Sequence, residues 1–382
     1  MEILIIGGGG VMGRPLVRLL SQNKENKVYV VTRSGIKDGL NICNLQGNAL
    51  DCVFMGKVLS RHYDAIIDFM VYKPGQLLST IGLLLSNTEH YISLSSAAVY
   101  ADSDNGLKET DLRFWNRNVS ENEKEQYHIY KAIDEDIILD AGFNNYTIIR
   151  PHVTVNTNHL PFFIWTEQFW LYRALMGNTI IAPVDMMDKK TCITYGDDMA
   201  QAINLLINNA KAKGEIFNIA SDNIITRQQL LNMYMDIFKK ITGKELKVKF
   251  VSSKTIMKCF PHQKDRFEKD RRLNRTLDTS KFHSIIDDKF IFSNTYDILE
   301  KSMRETIYNL KNLKIDDAYY FAFCDRLTGE KTSLKYFGGR KKRIKYMLIR
   351  YFIGSQLYRK LEPLLKLLNG VARGKVHRIE RR

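Results

Sequence analysis

Three shortages set the first limits on this 382-residue chain. Cysteine is scarce: Cys43, Cys52, Cys192, Cys259 and Cys324 are odd in number, scattered, and show no Cys-x-x-Cys spacing. A disulfide framework or a cysteine-based zinc site is therefore not expected, and a reducing, cytoplasmic compartment fits best. Long apolar runs are missing as well. No stretch reaches 18 uninterrupted apolar residues, so no membrane-spanning helix is predicted. The opening "MEILIIGGGG" lacks a basic leader and a cleavage site, and its apolar run is too short for a signal segment; it reads as a buried strand. Acidic residues, finally, are nearly absent from the last fifty positions. From Lys331 to Arg382 there are 16 Lys and Arg against two acids, whereas residues 1–330 carry 41 against 40. The net charge of +15 thus belongs to the tail, and the body is close to neutral.

What is present is a soluble globular composition, 45% apolar and 26% charged, with enough material for two domains and an appendage. Over the first 150 residues short apolar runs alternate with helical patterns. "EILIIG" (2–7), "KVYVVT" (27–32), "DAIIDFM" (64–70), "HYISLSS" (90–96) and "YTIIR" (146–150) suit strands buried on both faces, with the weaker "LNICNLQG" (40–47) as a sixth. Helical segments at 11–23, 75–86 and 121–141 lie between them. The alternation predicts an α/β fold built on a doubly wound parallel sheet, whose ligands bind at the carboxyl ends of the strands. Further on, 162–177 reads as an aromatic-rich helix, 179–184 as a strand, 197–210 as a helix, 214–220 as turn and strand, and 226–243 as a helix stopped by Gly243. The expected division is a dinucleotide-binding domain over 1–155, a smaller α/β substrate region over 156–325 with segments returning to the first domain, and a basic amphipathic tail over 331–382.

The first strand runs into Gly7-Gly8-Gly9-Gly10-Val11-Met12-Gly13, read as Gly-x-x-Gly-x-x-Gly at Gly7, Gly10 and Gly13. Gly7 permits a tight turn, Gly10 lets backbone approach a pyrophosphate, and Gly13 allows the following helix to pack on the sheet with its N-terminus toward the phosphates. The bland counterpart is a glycine-rich turn with no ligand. At the end of the second strand, Thr32, Arg33 and Ser34 stand where NAD-selective folds place a carboxylate. A cation flanked by hydroxyls suits a 2′-phosphate, which favours NADP slightly over NAD; Arg33 stacked on adenine, or simply solvated, is the alternative. The fifth strand ends "SLSSAAVYAD", placing Ser96 where the nicotinamide should lie, and "EKEQYHIYKAIDED" (123–136) sets Tyr127 and Lys131 one helical turn apart. A phenol with an ordinary pKa of about 10 becomes a usable base when an ammonium and an oxidised nicotinamide stabilise its phenolate. His128 and Tyr130 are read as pointing elsewhere on that helix.

Together these residues resemble the short-chain dehydrogenase/reductases, in particular their extended, NAD-dependent epimerase/dehydratase branch, over most of residues 1–310. The glycine turn matches the branch's cofactor loop, and "GNALD" (47–51) its adenine loop, with Asn48 replacing the usual Asp. "SSAAVYAD" matches Ser-Ser-x-x-Val-Tyr-Gly, "YHIYK" supplies Tyr-x-x-x-Lys, and "IIRPHVTV" resembles the Arg-Pro strand end. The resemblance implies Ser96, Tyr127 and Lys131 as catalytic residues. The cofactor contacts it implies are Gly7, Gly10, Val11, Met12, Gly13, Thr32, Arg33, Asn48, Ala49, Phe69, Met70, Tyr127, Lys131, Pro151 and His152; no metal is implied. The chain departs from the branch at three places. Ala97-Ala98 follow Ser96 where dehydratases have Asp-Glu, "DFMVYKPG" replaces His-x-Ala-Ala, and Val153 replaces an Asn common in epimerases.

The reaction implied is epimerisation of a nucleotide- or lipid-diphosphate-linked sugar through a transient ketone, with NADPH-dependent reduction of a keto-sugar as the alternative. A non-catalytic RNA-binding protein of the same fold is the reading from another class. Lys189 and Lys190 are candidate diphosphate contacts, with solvated lysines as the blander account. In the tail, Ile344, Met347, Leu348, Tyr351, Phe352, Leu357, Leu361, Leu364, Leu365 and Leu368 recur near helical spacing among the cations. Such a pattern suits an anionic membrane surface at its inner face, packing on the body or on a second copy in a homodimer, or, less well, nucleic acid.

Overall fold

The computed structural model describes residues 1–36, 39–101, 106–115, 126–260, 263–264, 267–286, 290–310, 314–315 and 317–352. Twelve strands are described: β1 (Glu2–Ile6), β2 (Lys27–Thr32), β3 (Ile42–Gln46), β4 (Ala65–Asp68), β5 (Tyr91–Leu94), β6 (Tyr146–Pro151), β7 (Val153–Val155), β8 (Ile180–Pro183), β9 (Lys190–Tyr195), β10 (Glu215–Ile219), β11 (Ile224–Thr226) and β12 (Val248–Val251). The helices are α1 (Gly13–Gln22), α2 (Cys52–Val58), α3 (Ile81–Ser86), α4 (Tyr127–Leu139), α5 (Trp170–Leu175), α6 (Gly196–Leu206), α7 (Arg227–Thr242), α8 (Ser253–Cys259), α9 (Ser280–Ile285), α10 (Thr295–Leu310), α11 (Ala318–Thr328) and α12 (Arg340–Met347). No helix among the described residues is long and apolar enough to cross a membrane.

Seven parallel strands form the central sheet in the order β10-β6-β5-β4-β1-β2-β3. The pattern of β1 shows why. Ile3 and Ile5 point into one core with Leu16 and Val17 of α1 and Met199 and Ile203 of α6. Leu4 and Ile6 point into the opposite core with Met55, Leu84 and Tyr91. All four are fully buried, each contributing roughly 1.5–3 kcal/mol relative to exposure. A strand apolar on both faces demands helices on both, and a parallel sheet supplies them through its crossovers. The weak run at 40–47 is indeed a strand, β3, and the seventh strand, β10, comes from "GEIFNIA", pairing with β6 in register Glu215↔Thr147.

A separate aromatic core lies beyond the sheet, around Phe162, Trp165, Trp170, Tyr234, Phe260 and Tyr320. It is flanked by the small sheets β11-β9-β7 and β12-β8. Here the expected helix over 162–177 fails: only Trp170–Leu175 is helical. Phe162 and Trp165 exchange backbone hydrogen bonds of 2.8 and 2.9 Å in a tight turn, and Phe163 sits at φ 54°, which no right-handed helix accommodates. The rings are spent on mutual edge packing, with Phe162 and Phe163 centroids 4.7 Å apart, rather than on a helical stripe. By contrast α7 follows its sequence signals closely. Thr226 and Gln229 form a capping box, and Gly243 closes the helix at φ 70°.

The start of the basic tail is docked on the body. Helix α12 packs against α11, with Tyr346 and Ile349 buried. Tyr346 Oη donates to Asp325 Oδ2 at 2.6 Å, and the Thr332 amide donates to Tyr346 Oη at 3.0 Å. Arg173, wholly buried, lies 2.7 Å from Asp325 Oδ1. Packing on the body therefore accounts for this stretch, while Ile344, Leu348 and Tyr351 remain about half exposed. Leu357, Leu361, Leu364, Leu365 and Leu368 lie outside the described residues.

Candidate active site

The glycine turn links β1 to α1 with each glycine under a different constraint. Gly7 has φ 76°, where a side chain is strained, and a Cβ there would meet Met70 and Phe69 at 3.5 Å. A Cβ on Gly13 would fall 2.7 Å from the Gly8 Cα, so α1 can approach the strand only without one. Gly8, not singled out in the sequence, is equally constrained, because its Cβ would stand 2.7 Å from Val30. Around Gly10 no protein atom lies within 4 Å of the Cβ position. Gly9, Gly10, Val11 and Arg14 border a cavity of about 430 Å³.

The other expected cofactor residues stand along the carboxyl edge of the same sheet, because β4, β1, β2 and β3 are neighbours. Thr32 ends β2 buried, its Oγ1 without a hydrogen-bond partner among the described residues, and Arg33 beside it is exposed. Asn48 accepts from the Leu50 amide at 3.2 Å and shapes the loop that also carries the buried Ala49. Phe69 and Met70 follow β4, where Asp68 accepts from the Met70 amide at 2.8 Å and from Tyr72 Oη at 2.7 Å. A left-handed glycine, open space at Gly10 and an orphaned hydroxyl at the end of β2 are features that a dinucleotide would satisfy.

A cleft of about 550 Å³ gathers residues distant in sequence. Val11 and Met12 come from the glycine turn, Ser95, Ser96 and Ala98 from the end of β5, and Gln126, Tyr127 and His128 from the start of α4. Pro151, His152, Val153 and Thr154 come from the end of β6, and Lys269, Asp270 and Arg271 from a helical turn over Phe267–Arg271. Of the adjacent serines, the structure separates the roles. Ser95 is buried with its hydroxyl donating to Glu135 at 2.5 Å. Ser96 accepts from the Ala98 amide at 3.2 Å, which leaves its own proton to donate into the cleft.

Tyr127 is the first residue of α4 and is 49% exposed. Lys131, one turn on, is buried, and its ammonium donates to the carbonyls of Leu94, at 2.6 Å, and of Met70. Burial lowers the Lys131 pKa, opposed by the carboxylates of Asp134, Asp68 and Glu135. Two of its three donors are thus committed to the end of β5 and the loop after β4, and one has no acceptor among the described residues.

Helix α4 is fixed by a buried ion pair. Arg150 on β6 reaches Glu135 Oε2 at 2.7 Å and Oε1 at 2.9 Å, and Arg113 reaches the same carboxylate at 2.9 Å. Arg150 also donates to Tyr100 Oη at 2.7 Å, and that phenol donates to Asn218 on β10 at 2.7 Å. Tyr100 is therefore a strut beneath the site.

Several cleft residues were not anticipated. His128, expected to point elsewhere, is buried in the cleft wall 5.4 Å from the Phe114 ring centroid. Lys189 and Lys190 are absent from the cleft lining; Lys269 and Arg271 provide its cations. His152 lies 3.0 Å from Thr191 Oγ1, and burial beside Arg271, Arg227 and Arg275 pushes its pKa down to about 3, so it is neutral. No spacing rule links residues 269–271 to a strand end more than a hundred positions earlier.

No family model matches the sequence, and no curated protein matches it significantly. Solved structures do match. A UDP-glucuronic acid 4-epimerase from Bacillus cereus in complex with NAD is 15% identical, with a TM-score of 0.62 over 81% of this chain and 100% of that one. An epimerase from Methanothermobacter thermautotrophicus is 16% identical, with a TM-score of 0.65 over 81% and 92%. A dTDP-glucose 4,6-dehydratase from Bacillus anthracis in complex with NAD is 17% identical, with a TM-score of 0.61 over 82% and 97%. The chain shares the fold of these epimerases and dehydratases, a parallel seven-stranded sheet flanked by helices. The shared fold accounts for the parallel sheet and its topology.

Proposed function

We propose that the chain is an NAD(P)-dependent enzyme that epimerises a sugar carried on a diphosphate, nucleotide- or lipid-linked, through a transient ketone. The observation that carries this reading is that Ser96 and Tyr127 line one cleft with the glycine turn, while Lys131 is tied to the strand ends between them. Residues 1–155 would hold the dinucleotide and the region after them the sugar. The cofactor's nicotinamide, when bound, accepts a hydride from the sugar carbon and later returns it. Tyr127 takes the hydroxyl proton as that hydride leaves and gives it back when the opposite face is reduced. Ser96 donates to the same oxygen and fixes its direction; the remaining Lys131 donor would bind the nicotinamide ribose. Ala97 and Ala98 are buried and carry no acid–base group, which argues against water elimination of the Asp-Glu type. That similar solved structures include a UDP-glucuronic acid 4-epimerase and a protein in complex with UDP-glucuronic acid and NAD supports the substrate class.

A screen of sugar nucleotides, following cofactor absorbance and product stereochemistry, tests the reading. Inversion without net cofactor consumption is the expected result; consumption of one NADPH per product would establish the reductase alternative. The exposed Arg33 and the absence of an acid at the end of β2 favour NADP. Arg33→Ala should weaken NADP binding by about tenfold, the worth of roughly 1.4 kcal/mol, and leave NAD binding nearly unchanged, as read by fluorescence titration. Equal losses for the two cofactors would remove the NADP preference.

The half-exposed Ile344, Leu348 and Tyr351 recur at helical spacing beside Arg340, Lys341 and Lys345. This supports peripheral attachment to an anionic membrane surface, where a lipid-linked substrate would be at hand. Flotation with anionic vesicles should fall severalfold for the double substitution Ile344→Ser, Leu348→Ser; undiminished flotation would exclude this face.

A further inference from the structure

The segment "DFMVYKPG" (68–75) departs from the epimerase/dehydratase pattern, and in the fold it surrounds the buried ammonium of Lys131. Asp68, at the end of β4, is itself buried. Its Oδ1 accepts from the Met70 amide at 2.8 Å, and the Met70 carbonyl accepts from Lys131. Its Oδ2 accepts from Tyr72 Oη at 2.7 Å and from Tyr91 Oη at 3.0 Å. The Tyr72 backbone amide donates in turn to Asp134, which follows Lys131 by three residues on the same face of α4. Asp134 is buried, and its Oδ2 has no hydrogen-bond partner among the described residues. One loop thus ties two carboxylates together around a single lysine.

A lysine in dry surroundings sheds its proton readily, because burial disfavours the charged form. Burial is the largest influence on Lys131 and draws its pKa down. The ionisable groups around it are Asp134 and Glu135 on its own helix, Asp68 and Tyr72 at the end of β4, and Tyr91 on β5. Glu135 is already paired with Arg150 and Arg113. Burial raises Tyr72 and Tyr91 well above the usual phenol range, so both stay neutral donors to Asp68. The countercharges left to the lysine are Asp68 and Asp134. Asp68 has three donors and is the better-supported anion. Asp134 has one bare oxygen, and burial pushes its pKa up to about 7 against the pull of Lys131. Asp134 is therefore ionised above neutrality, where a buried lysine starts to lose its charge. We propose that Asp68 and Asp134 are positioning residues for Lys131: Asp68 sets the loop carbonyl that aims the ammonium, and Asp134 supplies the negative charge that preserves it in alkaline solution. This deepens the proposed function and rests on its reading that Lys131 binds the nicotinamide ribose.

The test is the NADP affinity of the full chain between about pH 6 and about pH 9.5, read by fluorescence titration. At the acid end Asp134 is protonated, and Asp134→Asn, of the same shape, should bind within about threefold of wild type. As pH rises its affinity should fall by about tenfold, beginning at least about one pH unit below any decline of wild type. Lys131→Arg carries a charge that does not titrate in this range. Its affinity should vary less than about threefold with pH, with or without Asp134→Asn. Asp68→Asn, which disturbs the aim of the lysine as well as its charge, should weaken binding at every pH. Three results would overturn the proposal: coincident curves for wild type and Asp134→Asn, a loss in Asp134→Asn by the same factor at every pH, as a packing defect gives, or an alkaline decline that persists when Asp134→Asn is combined with Lys131→Arg. A wild type that binds no dinucleotide at any pH would instead overturn the reading of the site itself. None of these readouts requires turnover, so a failure of the epimerase reading is seen separately in the product screen.

Discussion

Tyr127→Phe should reduce turnover on a confirmed substrate by ~10³-fold, within the range that a positioned general acid–base group contributes. In the proposed reaction the Tyr127 hydroxyl, which lines the cleft with Ser96, takes the substrate proton while the cofactor takes the hydride. Serine hydroxyls are too weakly acidic to serve, and His152 sits with its ring nitrogen against Thr191. Tyr127 is 49% exposed at the start of α4, so removing one oxygen should change stability by no more than about 0.5 kcal/mol. Cofactor affinity should also hold, because Lys131 keeps its two carbonyl partners. Single-turnover absorbance with the variant and wild type measures this directly. Equal rates would place the proton transfer on another group, with His128 the next to replace.

The second large effect concerns the docking of the tail. Asp325→Ala should destabilise the protein by ~3–5 kcal/mol, the usual consequence of stranding one member of a buried ion pair. Arg173 and Asp325 are both fully buried, 2.7 Å apart. The same carboxylate accepts from Tyr346 Oη at 2.6 Å and from the Thr332 amide at 2.7 Å. Glu330, 2.8 Å from the other Arg173 nitrogen, is partly exposed and cannot replace it. Urea unfolding gives the magnitude. Tyr346→Phe separates the two contributions, since it removes the two hydrogen bonds of Tyr346 Oη, each worth about 1 kcal/mol, and leaves the ion pair intact. Proteolysis within 340–352 should accelerate in both variants. A loss under 1 kcal/mol for Asp325→Ala would show that Glu330 takes over the arginine.

Much of this molecule is written in local terms. The doubly apolar runs of β1, β2 and β4 require a sheet covered on both sides, and the glycines at 7 and 13 fix how the first helix leaves it. The capping box at Thr226 and the left-handed Gly243 delimit α7 without help from elsewhere. These are short-range demands, set by side-chain period and backbone sterics, and they survive in any fold that satisfies them. Tertiary structure decided the matters that depend on which distant groups meet. It turned Ser95 inward to Glu135 and Ser96 toward the cleft, although the two are neighbours of one type. It broke the aromatic run at 162–177, because ring packing around Trp170 and Tyr234 outweighed helical propensity. It set Arg173 beside Asp325, 152 positions apart, and Tyr346 beside the same carboxylate. Charge and hydrogen-bond partners act through space, over a few ångströms, and only the folded chain specifies those distances.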